Sequence, residues 1–103
     1  ALSYTISLAL YSARNFYTIY REMAVGKGIA DIIFIPRKKF QEKPALVVEL
    51  KWNKNAKGAI EQIKQKEYCH SLEEYHGNLL LVGVNYDRKT KEHECMIEEY
   101  TKI

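Results

Sequence analysis

The sequence is poor in the residues that staple or tether a chain. It has two cysteines, Cys69 and Cys95, at no metal-ligand spacing. That excludes a disulfide framework and a zinc ribbon. Thiols so placed are expected to be buried and reduced, which points to a reducing compartment and so to the cytoplasm. No apolar run approaches the ~20 residues a membrane span needs, so no membrane partner is expected. No charged leader with an apolar stretch and a small-residue cleavage site opens the chain. Repeats and low-complexity segments are absent. Neither sign of charge dominates: Lys and Arg number 16 and Asp and Glu 13, for a net charge of +3. This balance permits a polyanionic partner without requiring one. The prolines are two, Pro36 and Pro44, and both bound a single loop. What is there is an ordinary globular mixture, 47% hydrophobic and 28% charged over 103 residues. That suits one compact domain. The chain enters an amphipathic pattern at Ala1 with no initiator Met, so a piece of a longer protein is expected.

Periodicity divides the chain into elements. Leu2, Ile6, Leu10 and Ala13, with Ala9 beside them, share one helical face, which predicts a helix ending near Asn15. FYTIYRE is aromatic and β-branched, hence a strand. The glycines of AVGKG suit a turn. IADIIFI is a near-continuous apolar run stopped by Pro36, which predicts a strand buried on both faces. PRKKFQEKP is a charged loop, and ALVVELKW is a third strand. From Asn53 the period becomes helical. Ala56, Ala59, Ile60, Ile63 and later Leu72 form the apolar stripe, and Gly77 fits its end. NLLLVGVNY is another buried strand, with Gly83 marking a close helix approach or a bulge. DRKTK is a turn, and EHECMIEEY is a final strand with polar positions facing water. The order is α-β-β-β-α-β-β. Two hairpins predict antiparallel neighbours, and the helix after the third strand predicts a parallel crossover. The fold class is therefore α/β, a mixed sheet flanked by helices.

The chemistry lies in polar residues that interrupt the core. Alternation puts Val47, Glu49 and Lys51 on one face of the third strand and Leu46, Val48, Leu50 and Trp52 on the other. Glu49 and Lys51 then lie about 6–7 Å apart. Trp52 is expected to pack beneath the sheet, away from the carboxylates. Asp31 interrupts the run Ile29–Ile35, where a carboxylate needs a partner, a proton or a metal. Asp31 could serve only as an N–H acceptor at a strand bulge, and Glu49 with Lys51 could be a local ion pair. If the register sets Asp31 beside Glu49, however, two carboxylates repel unless a cation neutralises them. A hard divalent ion such as Mg²⁺ or Mn²⁺ does so. Lys51 could then hold or deprotonate a water or stabilise a transferring phosphoryl group. Arg37, Lys38, Lys39, Lys54, Lys57, Lys64 and Lys66 could track phosphates near such a site, although a solvated helix face accounts for most of them. His70, His76 and His93 have no ligand spacing and are expected on the surface or in helix packing.

GKGIADIIFIP, ALVVELK, EQIKQKEY and LLLVGVNYD, in that order and spacing, resemble the PD-(D/E)xK nuclease superfamily. The likeness runs from about Tyr17 to Met96. It is nearest the branch found C-terminal to AAA-ATPase-like domains in bacterial proteins. The resemblance implies a restriction-endonuclease-like core and a Mg²⁺- or Mn²⁺-dependent nuclease. It implies Asp31, Glu49, Lys51 and Gln62 as catalytic residues. Asp31, Glu49 and the Leu50 carbonyl would be metal ligands. Of the lysines that follow Glu49 and Lys51, Lys54 and Lys66 are the expected nucleic-acid contacts. Lys66 and Tyr68 belong to the same helical motif as Gln62. The partners implied are DNA, an upstream ATPase-like domain and a second copy of the chain.

Two departures stand out. Ala30 precedes Asp31 where the superfamily often has Pro. Many members also carry a glutamate on the first helix, whereas residues 1–15 contain no acidic residue. Glu22, across the turn from Asp31, is the candidate substitute. The competing reading is a catalytically inactive module of the same fold that binds nucleic acid or a protein partner.

Overall fold

In the computed structural model of the chain, the described residues are 11–25, 28–65, 72 and 78–100. They form one five-stranded sheet whose spatial order follows the chain, β1-β2-β3-β4-β5. The strands are β1 (Tyr17–Val25), β2 (Gly28–Pro36), β3 (Ala45–Trp52), β4 (Leu79–Tyr86) and β5 (His93–Glu99). A 3₁₀ turn (Lys38–Phe40) lies in the β2–β3 loop, and helix α1 (Ala56–Gln65) connects β3 to β4. The pairs β1–β2, β2–β3 and β4–β5 are antiparallel, and β3–β4 is parallel. This is the mixed sheet expected from two hairpins followed by a helical crossover. Residues 11–13 close a helical turn, in keeping with a helix ending near Asn15, and Ala13 packs on the sheet. The rest of that expected helix, and the expected continuation of α1 toward Gly77, lie outside the described residues, apart from Leu72.

Alternation sorts the apolar side chains into two layers. Ile33, Val47 and Leu81 stand in register on neighbouring strands and bury against Ile60 and Ile63 of α1. Ile32, Phe34 and Val48 occupy the other face with Tyr17, Ile19 and Ala13. Each fully buried Ile or Leu contributes ~1.5–3 kcal/mol, so the α1 layer is the main source of stability. Strand β2 is covered on both sides, as its near-continuous apolar run predicts.

Helix α1 starts where two side chains satisfy its first amides. Asn55 Oδ1 accepts from Gly58 N (2.5 Å), and Glu94 Oε1 of β5 accepts from Ala56 N (2.6 Å). These groups would otherwise be orphaned at the helix start. The Glu94 charge also suits the positive end of the helix dipole. The helix lies unusually close to β4 because residue 83 is glycine. A Cβ there would stand 2.4 Å from the Ala56 carbonyl oxygen. The glycine in this strand therefore marks close approach of the helix.

One expectation fails at the edge of the sheet. Cys95 is exposed, not buried. It lies in β5, an edge strand with no buried residue, where Met96 and Ile97 are exposed as well. Cys69, His70 and His76 lie outside the described residues. His93 is exposed, with its ring against Tyr86.

Candidate active site

The site begins where β2 and β3 stop pairing. Their ladder runs from Phe34–Leu46 to Ile32–Val48. One further rung would set Asp31 opposite Glu49, but no backbone pair forms there. Instead the Leu50 amide donates to Asp31 Oδ2 at 2.8 Å. The strands part at this point, and the Asp31 side chain bridges the opening. The modest reading of Asp31 as an N–H acceptor is thus realised, but for one oxygen only. Asp31 Oδ1 has no hydrogen-bond partner among the described residues.

On the other side of β2, the pairs Arg21–Ile32 and Met23–Ala30 flank Glu22, which therefore faces Asp31 in register. Glu22 has left the ladder. Its φ is 52°, a left-handed conformation that L-residues other than Asn and Asp seldom adopt. Glu22, Asp31 and Glu49 thus occupy one row across three adjacent strands. They line an open cleft of about 970 Å³ together with Arg21, Ile32, Leu50, Trp52 and Gln62.

Glu49 is only 3% exposed, so its carboxylate belongs to the core as much as to the cleft. Lys51 follows on the same face of β3 and is half-buried. Its Nζ donates to Gln62 Oε1 of α1. Lys51 is therefore joined to the cleft through Gln62, which lines it. Helix α1 brings Gln62 there because Gly83, level with Glu49 in the next strand, lets the helix settle onto the sheet.

Other sequence candidates separate from the cleft. Lys54 is exposed and lines a second cavity with Asn53, Asp87, Arg88 and Lys89. Arg37, Lys38 and Lys39 are at the opposite end of the sheet, in the loop that precedes β3. They cannot track phosphates beside Asp31, because a β2–β3 hairpin puts its loop away from the β3 carboxyl end. Lys64 is ion-paired with Glu98. Lys66 and Tyr68 lie outside the described residues. Trp52 overturns its expected packing: it is 48% exposed and forms part of the cleft wall. It follows the point where β2 ceases to pair, so strand alternation has no covering layer to point it into. Arg21 also lines the cleft, and its adjacency to Glu22 is the only sign of this in the sequence. The buried Asn85, which accepts the Lys54 amide at 3.0 Å, gives no such sign within its strand.

Among the described residues, no three Asp, Glu, His or Cys side chains converge tightly enough to hold a metal by themselves. The donor chemistry nevertheless suits a hard ion that keeps most of its waters. Mg²⁺ is usually held by one or two carboxylates plus substrate phosphates, not by an all-protein cage. Asp31 and Glu49 supply two carboxylates, and the cleft has room for water.

Comparison with known proteins gives the family and the fold. A profile of the PD-(D/E)XK nuclease superfamily matches residues 3–96. The chain belongs to the PD-(D/E)XK nuclease superfamily. The crystal structure of a repair endonuclease from Pyrococcus abyssi superposes with a TM-score of 0.53 at 24% identity. The alignment covers 84% of this chain but 37% of the endonuclease, a likeness of fold alone. No curated protein matches the chain. The α/β sheet with its parallel β3–β4 crossover is thus the restriction-endonuclease-like core of a PD-(D/E)XK superfamily member. Members of this superfamily generally use divalent metal ions. No helix among the described residues is long and apolar enough to cross a membrane.

Proposed function

We propose that this domain is a metal-dependent nuclease that hydrolyses phosphodiester bonds in nucleic acid, with Mg²⁺ or Mn²⁺ as its cofactor. The observation that carries the reading is the meeting of Asp31, Glu49 and Gln62 in one cleft, with Lys51 bonded to Gln62. Asp31 and Glu49 would hold the ion, and the Leu50 carbonyl is a further candidate ligand from the superfamily resemblance. A bound divalent ion would polarise the phosphoryl oxygens and make the attacking water more acidic.

The chain's own residues have distinct tasks in this reading. The Leu50 amide fixes Asp31 through Oδ2 and leaves Oδ1 to face the cleft. The Lys51 ammonium holds the attacking water and stabilises charge that develops on the phosphoryl group. Gln62 Oε1 orients Lys51, while its Nε2 remains a donor for water or phosphate. Water oxygen bonds to phosphorus as the bond to the leaving sugar oxygen breaks; the attacking water gives up its proton to solvent, and the leaving oxygen takes one from a water in the open cleft. Glu22 is the candidate third carboxylate.

Finer points rest on the resemblance of GKGIAD, VVELK and EQIKQKEY. They are DNA as the nucleic acid, an upstream ATPase-like domain, and action as a homodimer. A cytoplasmic location rests instead on the cysteine usage of the sequence. A second reading, an inactive module that binds without cutting, is favoured by the lack of a three-ligand cluster among the described residues.

Calorimetric titration of Mn²⁺ separates the two. We expect saturable binding to the wild type, lost in Asp31→Asn. With Mg²⁺ present, Lys51→Ala should cut DNA at least ~10²-fold more slowly than wild type, the usual loss for one preorganised donor. Cleavage by Lys51→Ala at the wild-type rate would remove that residue from the mechanism. Absence of Mn²⁺ binding in the wild type would favour the inactive module.

A further inference from the structure

The second cavity is at the same end of the sheet as the cleft. It lies between the β3–α1 loop and the β4–β5 hairpin, beyond the carboxyl ends of the parallel pair. Open α/β sheets commonly bind ligands in this position. Three hydrogen bonds fasten the two segments together. Asn53 N donates to the Tyr86 carbonyl (2.8 Å), Arg88 N to Asn53 Oδ1 (2.9 Å), and Lys54 N to Asn85 Oδ1 (3.0 Å). Asn53 has a φ of 54°, which Asn tolerates better than most residues, and this turns the chain off β3. Within the hairpin, Asp87 Oδ1 accepts the amides of Lys89 (2.8 Å) and Thr90 (3.2 Å). The backbone of both segments is therefore fixed without any use of the basic side chains.

Those side chains surround a cavity of about 500 Å³. Lys54, Arg88 and Lys89 line it against one carboxylate, Asp87, whose Oδ1 is already engaged by two amides. Among the described residues, no carboxylate pairs with any of the three cations, whereas Lys64 of α1 is neutralised by Glu98. A fixed frame with a surplus of unpaired positive charge suits a phosphate group. Arg88 adds the planar fork that matches phosphate oxygens. Lys54 follows Lys51 by three residues, so their Cα atoms are at most about 10 Å apart. One extended strand could span both places.

We propose that this cavity is a phosphate-binding site for the backbone of the nucleic-acid strand engaged by the cleft. Arg88 and Lys89 are its principal contacts, and Lys54 joins it to the active site. The identity of the polymer rests on the proposed nuclease reading. The phosphate chemistry rests on the cavity alone.

The test measures binding of a labelled 20-base-pair DNA duplex, and of its single strand, by anisotropy in metal-free buffer across a salt series. Arg88→Ala/Lys89→Ala keeps both backbone amides that fasten the hairpin, so the fold should persist, and circular dichroism checks it. We expect this variant to bind about tenfold or more weakly. The slope of log affinity against log salt should fall by about two for the duplex, roughly one per lost phosphate contact. Lys38→Ala/Lys39→Ala, at the far end of the sheet, should leave affinity and slope unchanged.

Unchanged binding by Arg88→Ala/Lys89→Ala would overturn the site. So would equal losses in both double variants, or no binding by the wild type to either probe. The nuclease reading is judged separately by metal-dependent cleavage. A wild type that binds through Arg88 and Lys89 but never cuts would refute the nuclease and leave the phosphate site standing. One that cuts while Arg88→Ala/Lys89→Ala binds normally would do the reverse.

Discussion

The two halves of β3 share one unbroken parallel ladder to β4, from Ala45 to Trp52, yet they have different surroundings. The first half is flanked on its other side by β2 and feeds Val47 and Val48 into the two core layers. The second half has lost β2. Its amide at Leu50 bonds to a side chain, its carboxylate and ammonium face α1, and its last residue is half exposed. One strand thus supplies a rigid footing and an open working end. Reactive groups on a paired strand are more firmly positioned than groups on a loop. The change of character falls within one rung of the sheet.

The comparison can be broken first at its footing. Leu81→Ala removes a fully buried side chain beside Val47, and we expect a loss of ~2–5 kcal/mol. Denaturant unfolding measures it. Mn²⁺ affinity of the folded fraction should stay within a factor of about two, since the working end is untouched. A large fall in affinity would mean that the two halves are not separable.

At the junction itself, Asp31→Ala and Asp31→Asn should differ. Alanine leaves the Leu50 amide without its acceptor, at a cost of ~1–3 kcal/mol. Asparagine keeps an acceptor oxygen and should lose less than about 1 kcal/mol, while both variants lose Mn²⁺ binding. Equal destabilisation would show that the negative charge, not the hydrogen bond, joins the strands.

The smallest effect is expected at Glu22. Glycine accepts a left-handed backbone freely, so Glu22→Gly should raise stability by about 0.5–1 kcal/mol. Thermal unfolding without metal reads this. If the Glu22 carboxylate also contributes to the ion, the same variant binds Mn²⁺ more weakly, and strain and function separate in one protein. A loss of stability would mean that the side chain makes contacts worth more than the strain.

Much of the fold and of the cleft is legible in the sequence, for local reasons. Pro44 and a β-branched run bound β3, and strict alternation put Glu49 and Lys51 on one face. The proline-bounded loop implied a β2–β3 hairpin, and so the approach of Asp31 to Glu49. Gly83 signalled the close helix because a missing side chain inside a strand needs a reason. The less legible features depend on where long-range pairing ends. Nothing local says that β2 releases β3 after Val48, so alternation alone points Trp52 beneath the sheet, whereas it stands in the cleft wall. Glu22 gives no hint of its left-handed backbone, since a glutamate side chain does not favour that conformation. Cys95 looked like a buried thiol because composition cannot distinguish an edge strand from a covered one. Arg88 and Lys89 looked like ordinary turn residues until the hairpin met the loop after β3.

The bond from Leu50 to Asp31 also gives the cleft a built-in reporter. Amide hydrogens in a ladder exchange with solvent deuterium when the strands open. This one is protected by a side chain at the edge of the cleft. Its exchange rate in deuterated water should respond to any event that draws the Asp31 carboxylate toward another charge, while the amides of Val47 and Val48 hold steady. A single backbone hydrogen can thereby show occupation of the cleft without an attached probe, a substrate or a turnover.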